Sequence, residues 1–248
     1  MFPQTHVFFA GQVMGKMNDA VALGSIFPDM AIGAGIDRDT SHGCGRELLK
    51  FMEDSPELRD FALACITHGV DPGGLDYYGD EKNHPSERGY CFEKGRVLVN
   101  PTIAACNIPR EMGWWKAHNI VEMGIELRIS ACGSFGQHLR TAFDNQPLIE
   151  KICRSLGEFF DRDPMPFIRR ISGFRSYIDL SSSTAESLAE KYQYQMYYKH
   201  RIQINVREVA GLIRLAAEVV EDDVDKFFLD VTEKVKETIV SMVSTGGF

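Results

Sequence analysis

Residues 183–220, STAESLAEKYQYQMYYKHRIQINVREVAGLIRLAAEVV, carry the pattern that decides the fold class. Apolar side chains return every three or four positions, which is the period of a helix lying on a core. The same period continues in DDVDKFFLDVTEKVKETIVSMV at 222–243 and in EMGWWKAHNIVEMGIELRI at 111–129. No stretch alternates apolar and polar residues in the manner of a half-buried strand. The fold class read from the chain is all-α: a single-domain multi-helix bundle over residues 1–248, with its side-chain chemistry between helices and loops.

Nearer the N-terminus the helical spacing spans residues 6–23, through Val7, Phe8, Val13, Met14, Met17 and Val21, with Thr5 placed to cap it. GSIFPDM at 24–30 reads as a break, and the Gly-rich MAIGAGIDRDTSHGCG as a loop. RELLKFMEDSPELRDFALACITHGV at 46–70 divides at Ser55–Pro56, with proline at the first position of the second helix. DPGGLDYYGDEKNHPSERGYCF at 71–92 reads as a long polar loop, and a loop of that length in a compact domain usually carries function.

Bulk composition narrows the partners. The net charge is −8 across 248 residues, which disfavours general nucleic-acid binding. No run reaches the ~18 apolar residues of a membrane span. The N-terminus lacks the basic start and apolar run of a secretory signal, so the expected location is cytoplasmic. The six cysteines form no CxxC pair and read as reduced, mostly buried thiols.

Five of the seven histidines stand in the first half, among well-placed carboxylates. In chain order the candidate metal ligands are His6, Asp29, His42, His68, Asp71, Asp76, His84, His118 and Glu122. His118 and Glu122 are four apart in a helical stretch, which puts both on one face. His68 closes a helical pattern and Asp71 follows three residues later, so that pair can converge at the helix end. Imidazole and carboxylate together suit Zn²⁺ and related divalent ions. A bridging carboxylate, for which Asp71 and Asp76 are the rivals, sets two ions ~3.5–4 Å apart around an in-line displacement at phosphorus. His138 and His200 read as packed or solvated. Lys94, Arg96 and Arg110 are candidates for holding an anion. The tyrosines of 191–204 suggest a partner helix or a homo-oligomer surface.

The order of these residues resembles the zinc-dependent phospholipase C family and its single-strand-specific nuclease relatives. The resemblance runs through TH at 5–6, ALGSIFPDM at 22–30, SHG at 41–43, THGVD at 67–71, NHP at 83–85 and HNIVE at 118–122, over about residues 5–122. It implies an all-α fold and two zinc ions, with a third as an alternative and Mn, Fe or Ni left open. It further implies that Asp29, His42 and His68 hold one ion, with Asp71 or Asp76 bridging. His84, His118 and Glu122 would hold a second, and His6 would belong to a third. The expected activity is hydrolysis of a phosphoric ester by metal-bound hydroxide, on a small phosphorylated substrate or a phospholipid headgroup. The alternative is a helical interaction or regulatory module with a structural metal site. Residues 126–248 carry no recognised motif.

Overall fold

The computed structural model describes residues 2–80 and 88–245. It is all-helical: 78% helix and no strand among the described residues. The helices are α1 Pro3–Met14, α2 Asp19–Gly33, α3 Arg38–Gly43, α4 Gly45–Phe51, α5 Pro56–His68, α6 Leu75–Asp80, α7 Tyr90–Gly95 and α8 Val99–Cys106. They continue as α9 Gly113–Cys132, α10 Phe135–Asp144, α11 Gln146–Phe159, α12 Met165–Phe174, α13 Ala185–His200, α14 Val206–Val219 and α15 Val224–Thr245. None is long and apolar enough to cross a membrane.

Two apolar clusters organise the molecule. One surrounds α9: Ile120, Val121 and Ile125 pack with Tyr192 and Met196 of α13, Val209 and Ile213 of α14, and Phe228 and Val231 of α15. The other surrounds α2: Leu23, Ile26 and Phe27 pack with Phe61 of α5, Leu139 and Phe143 of α10, Ile149 and Ile152 of α11, and Phe167 of α12. Each such side chain contributes about 1.5–3 kcal/mol by leaving water. α1 joins the clusters, since Val7 belongs to the second and Phe9 to the first. A polar residue on α1 is therefore drawn into the middle of the protein, and His6 sits there, fully buried.

Several expectations about the first half are corrected. The helix expected over 6–23 is two helices. Gly15 ends α1 in the left-handed conformation, φ +64°, with its N–H on the Gly11 carbonyl. The Asn18 side chain then caps α2, accepting from Val21 N at 2.9 Å. Thr5 does not cap α1, which starts at Pro3 after Phe2.

The break expected at GSIFPDM is absent, because α2 runs through Pro28 to Gly33. Proline leaves one helical hydrogen bond unmade, but nearly the whole of α2 is buried, and tertiary packing outweighs that local cost. Gly24 is indispensable here. A Cβ at that position would lie 2.2 Å from the Phe61 carbonyl, so only glycine lets α2 and α5 approach this closely.

The Gly-rich loop contains α3, started by Asp37 accepting from Thr40 N at 2.8 Å, and α4 follows where RELLKFM reads as helical. The expected loop at 71–92 contains α6 and the start of α7. The division at Ser55–Pro56 stands where the sequence placed it, with Pro56 opening α5.

Candidate metal centre

Three sets of donor atoms converge among the described residues: His6, His68 and Asp76; Asp29, His42 and His68; and Asp80, His118 and Glu122. Within each set the ligand atoms lie within 4.8 Å of one another. The first two share His68, and together they form a histidine-rich group drawn from α1, α2, α3, α5 and α6. The third is carboxylate-rich and comes from α6 and α9.

Asp76 is the pivot of the histidine-rich group. Its Oδ1 lies 3.4 Å from His6 Nε2, and its Oδ2 lies 3.6 Å from His42 Nε2 and 3.4 Å from His68 Nε2. His42 Nε2 is 3.7 Å from Asp29 Oδ1. Two donors about 2.0–2.1 Å from a tetrahedral Zn²⁺ stand about 3.3–3.4 Å apart. The observed separations are close to that edge.

The outer ring nitrogens are fixed by protein partners. His68 Nδ1 donates to the Ser25 carbonyl at 2.7 Å, which turns Nε2 toward the centre. His42 Nδ1 lies 3.1 Å from the Arg38 carbonyl and orients its ring the same way. His68 Nε2 and both nitrogens of His6 are buried without a hydrogen-bond partner. Buried imidazole nitrogens normally find one, and here each Nε2 has an Asp76 oxygen at 3.4 Å. The His6 and His68 rings stack at 3.6 Å.

Because His68 has only Nε2 left to offer, it serves one ion at a time. Asp76, with one oxygen at His6 and the other at His42 and His68, can serve two. Asp29 is the open member of the group, its side chain 41% exposed.

In the carboxylate-rich group, His118 and Glu122 are one turn apart on α9, and Asp80 is one turn beyond Asp76 on α6. The Asn119 amide donates to Glu122 Oε2 at 3.1 Å and lies 3.0 Å from His118 Nε2. Phe92 stacks on the His118 ring at 4.2 Å, and His118 Nδ1 is buried without a hydrogen-bond partner.

A third carboxylate continues the same face of α9. Glu126 is buried and takes the N-terminus of α1: Oε1 accepts from Gln4 N at 3.0 Å, and Oε2 from Thr5 N at 2.8 Å and Thr5 Oγ1 at 2.7 Å. Phe2 offers α1 no capping side chain, so Glu126 supplies that function from another helix. One stripe of α9 thus provides two candidate ligands and clamps the helix that carries His6.

Electrostatics differ between the groups. Burial alone would raise the Asp76 carboxyl, but positive neighbours, His68 and His6 among them, hold it well below the usual carboxylate range. Burial likewise opposes charge on His68, yet Asp76 and Asp29 outweigh it and move the ring up. His6 is pushed well down by burial and by His68. Asp80 goes the other way, raised well above the carboxylate range by burial and by Glu122.

Several expectations need correction. Asp71 joins none of the three sets. It is exposed, and its contribution is a backbone N–H to the His42 carbonyl at 3.3 Å. The turn after α5 carries its side chain outward, so convergence with His68 at the helix end does not occur. His42 lies on a short helix, not in a loop. The proposed third-site residue His6 stands with His68 and Asp76. His84 lies outside the described residues. Lys94 is engaged with Asp223 at 2.6 Å and Arg96 with Glu93 at 2.6 Å, so neither is held ready for an anion at the centre.

Sequence reasoning missed Asp80, Glu126 and Asn119. The signal for the first two was present: Asp76–Asp80 and Glu122–Glu126 are both four apart, but the first pair was read as loop and so given no helical face.

No family model, no curated protein and no solved structure matches the chain.

Proposed function

We propose that the chain is a metal-dependent hydrolase of phosphoric esters, of the phospholipase C-like or phosphodiesterase kind. One observation carries the reading: α6 presents Asp76 to three histidines and, one turn later, Asp80 to His118 and Glu122. That places two donor sets side by side with a carboxylate able to bridge. Bound divalent ions, zinc by the imidazole and carboxylate donor set, would supply water activation at neutral pH and a clamp for the charge on phosphorus.

The chain's own residues do the rest. Asp76 faces His6 with one oxygen and His42 and His68 with the other, completing the histidine-rich position. Ser25 and Arg38, through their carbonyls, hold His68 and His42 in the orientation that ligation requires. Asp29, at the exposed edge, marks the side from which a substrate reaches the centre. Burial pushes the thiol of Cys44, two residues from His42, up to about 11, so it is protonated at neutral pH. A phosphorylated small molecule and a phospholipid headgroup share the dianionic or monoanionic phosphate that such a centre binds.

The rival reading is a structural ion in a non-catalytic helical module, and the fully buried triad of His6, His68 and Asp76 would suit it. Hydrolysis of bis(p-nitrophenyl) phosphate and p-nitrophenyl phosphate separates the two. Metal-loaded protein is expected to cleave at least one, and Asp76→Asn and chelation to abolish that cleavage. Stoichiometric metal with no turnover of either ester overturns the catalytic reading.

A further inference from the structure

From Lys191 to Arg207 the chain contains no acidic residue, although Asp and Glu outnumber Lys and Arg by 35 to 27 overall. In the same stretch the outer face of α13 is aromatic: Tyr194 is 74% exposed, Tyr197 48% and Tyr198 81%. Their spacing of three and four residues puts them on one stripe. Tyr192 and Met196, on the opposite face, are buried in the α9 cluster and already account for the packing of the helix. Lys199, Arg201 and Arg207 are exposed at the end of the stripe, and the Arg201 guanidinium stands over the Tyr197 ring at 5.5 Å.

The stripe is joined to the metal centre. His200 Nε2 lies 3.1 Å from Lys116 Nζ, two residues before His118 on α9. On the same turn Trp115 is 55% exposed and meets the His118 ring edge-on at 5.2 Å.

We propose that this face docks on an anionic lipid surface. Tyrosine and tryptophan have an apolar body and a polar tip and settle at the headgroup level of a bilayer. Exposed lysine and arginine beside them are drawn to negatively charged lipid. The charge of this stretch is positive, opposite in sign to the chain's net charge, with Glu190 and Glu208 at its two ends. A second copy of the chain is disfavoured as occupant, because an isologous contact would bring the basic face of one copy against the basic face of the other. For a phosphoric-ester hydrolase the docking would bring lipid headgroups close to the centre; the surface itself stands on α13 and does not depend on catalysis.

Co-sedimentation of the full metal-loaded chain with phosphatidylcholine vesicles, with and without 30 mol% phosphatidylserine, tests it. Binding is expected only to the anionic vesicles and is expected to weaken with added salt. Lys199→Gln with Arg201→Gln should lower the partition coefficient on the order of tenfold, and Tyr194→Ser with Tyr198→Ser should lower it several-fold. All four residues are exposed, and circular dichroism checks that the variants fold. No binding above the neutral-vesicle background overturns the proposal, as does binding that both double variants leave unchanged. A wild-type dimer in solution that the tyrosine variant dissolves, without vesicle binding, also overturns it. Cleavage of the soluble esters is measured on the same preparations, so failure of lipid docking and failure of the hydrolase reading are read separately.

Discussion

The histidine-rich and carboxylate-rich groups are neighbours on α6, yet they are assembled in opposite ways. The first draws one residue from each of five helices, joined only by the tertiary fold. The second is largely local, with two of its three donors one turn apart on α9. Their electrostatics diverge accordingly. In the first, imidazoles and carboxylates compensate one another, and Asp76 is held well down against the cost of burial. In the second, burial and Glu122 together drive Asp80 up. Two buried carboxyls side by side ionise together only when a cation joins them. The histidine-rich group is therefore close to charge balance, whereas burial and Glu122 favour the neutral form of Asp80.

The largest effect should come from His68→Ala, which removes the donor common to both histidine-rich triads. Ester hydrolysis should fall by more than the ~100-fold upper end seen when an outer-shell partner of a metal ligand is lost. Steady-state kinetics beside metal analysis reads this, and near-normal kcat/KM in the variant would remove the histidine-rich group from the chemistry.

Glu122→Gln should separate the groups. Metal content is expected to drop by about one ion per chain while the histidine-rich ion stays. Loss of all metal would mean that the two groups fill as one.

Glu126→Gln tests the clamp. It keeps the shape of the side chain but removes the charge that takes two N–H groups and a hydroxyl from the start of α1. A stability loss of about 1–3 kcal/mol is expected in denaturant titration. Metal affinity should fall roughly 10-fold as His6 loses its fixed position. Unchanged affinity alongside lost stability would make Glu126 a purely structural residue.

Asp223→Asn reaches the carboxylate-rich group from outside. Asp223 accepts from Tyr90 Oη at 2.6 Å and pairs with Lys94 at 2.6 Å, anchoring α7, whose Phe92 stacks on His118. Burial is the largest single influence and opposes the Asp223 charge, but Lys94 and Tyr90 together outweigh it and lower its pKa. A carboxyl lower in the folded than in the unfolded chain stabilises above the unfolded value, ~3.9, and loses that contribution as pH falls through the folded value. The variant should therefore be less stable than wild type at pH 7, by no more than about 1 kcal/mol at this partly exposed pair. The difference should shrink toward pH 3; one that grows in acid would reverse the sign of the argument. The smallest effect belongs to Asp71→Asn. Its side chain points to solvent, so activity within about twofold of wild type is expected in the same kinetic assay.

How much was legible follows the same division. The all-helical class could be read because α14 and α15 each bury one face at the helical period. His118 and Glu122 could be paired because four residues along a helix is a distance known in advance. Asp76 could not be chosen over Asp71, since that choice depends on how the turn after α5 packs against the His42 carbonyl. α2 misled through Pro28 and its glycines: a helix buried on nearly every side has no polar face to reveal its period, and its packing against α5 overrides the local propensities. Asp80 was hidden for the converse reason. α6 is six residues long with a glycine inside and polar neighbours, so nothing in its composition announces a helix until the tertiary structure forms it.

The most direct test of the account is an anomalous-scattering map from crystals of the metal-loaded chain. Two peaks are predicted: one among Asp76, His68 and the imidazoles of His6 and His42, the other among Asp80, His118 and Glu122. No peak at either position, or ions bound only away from these side chains, would contradict it.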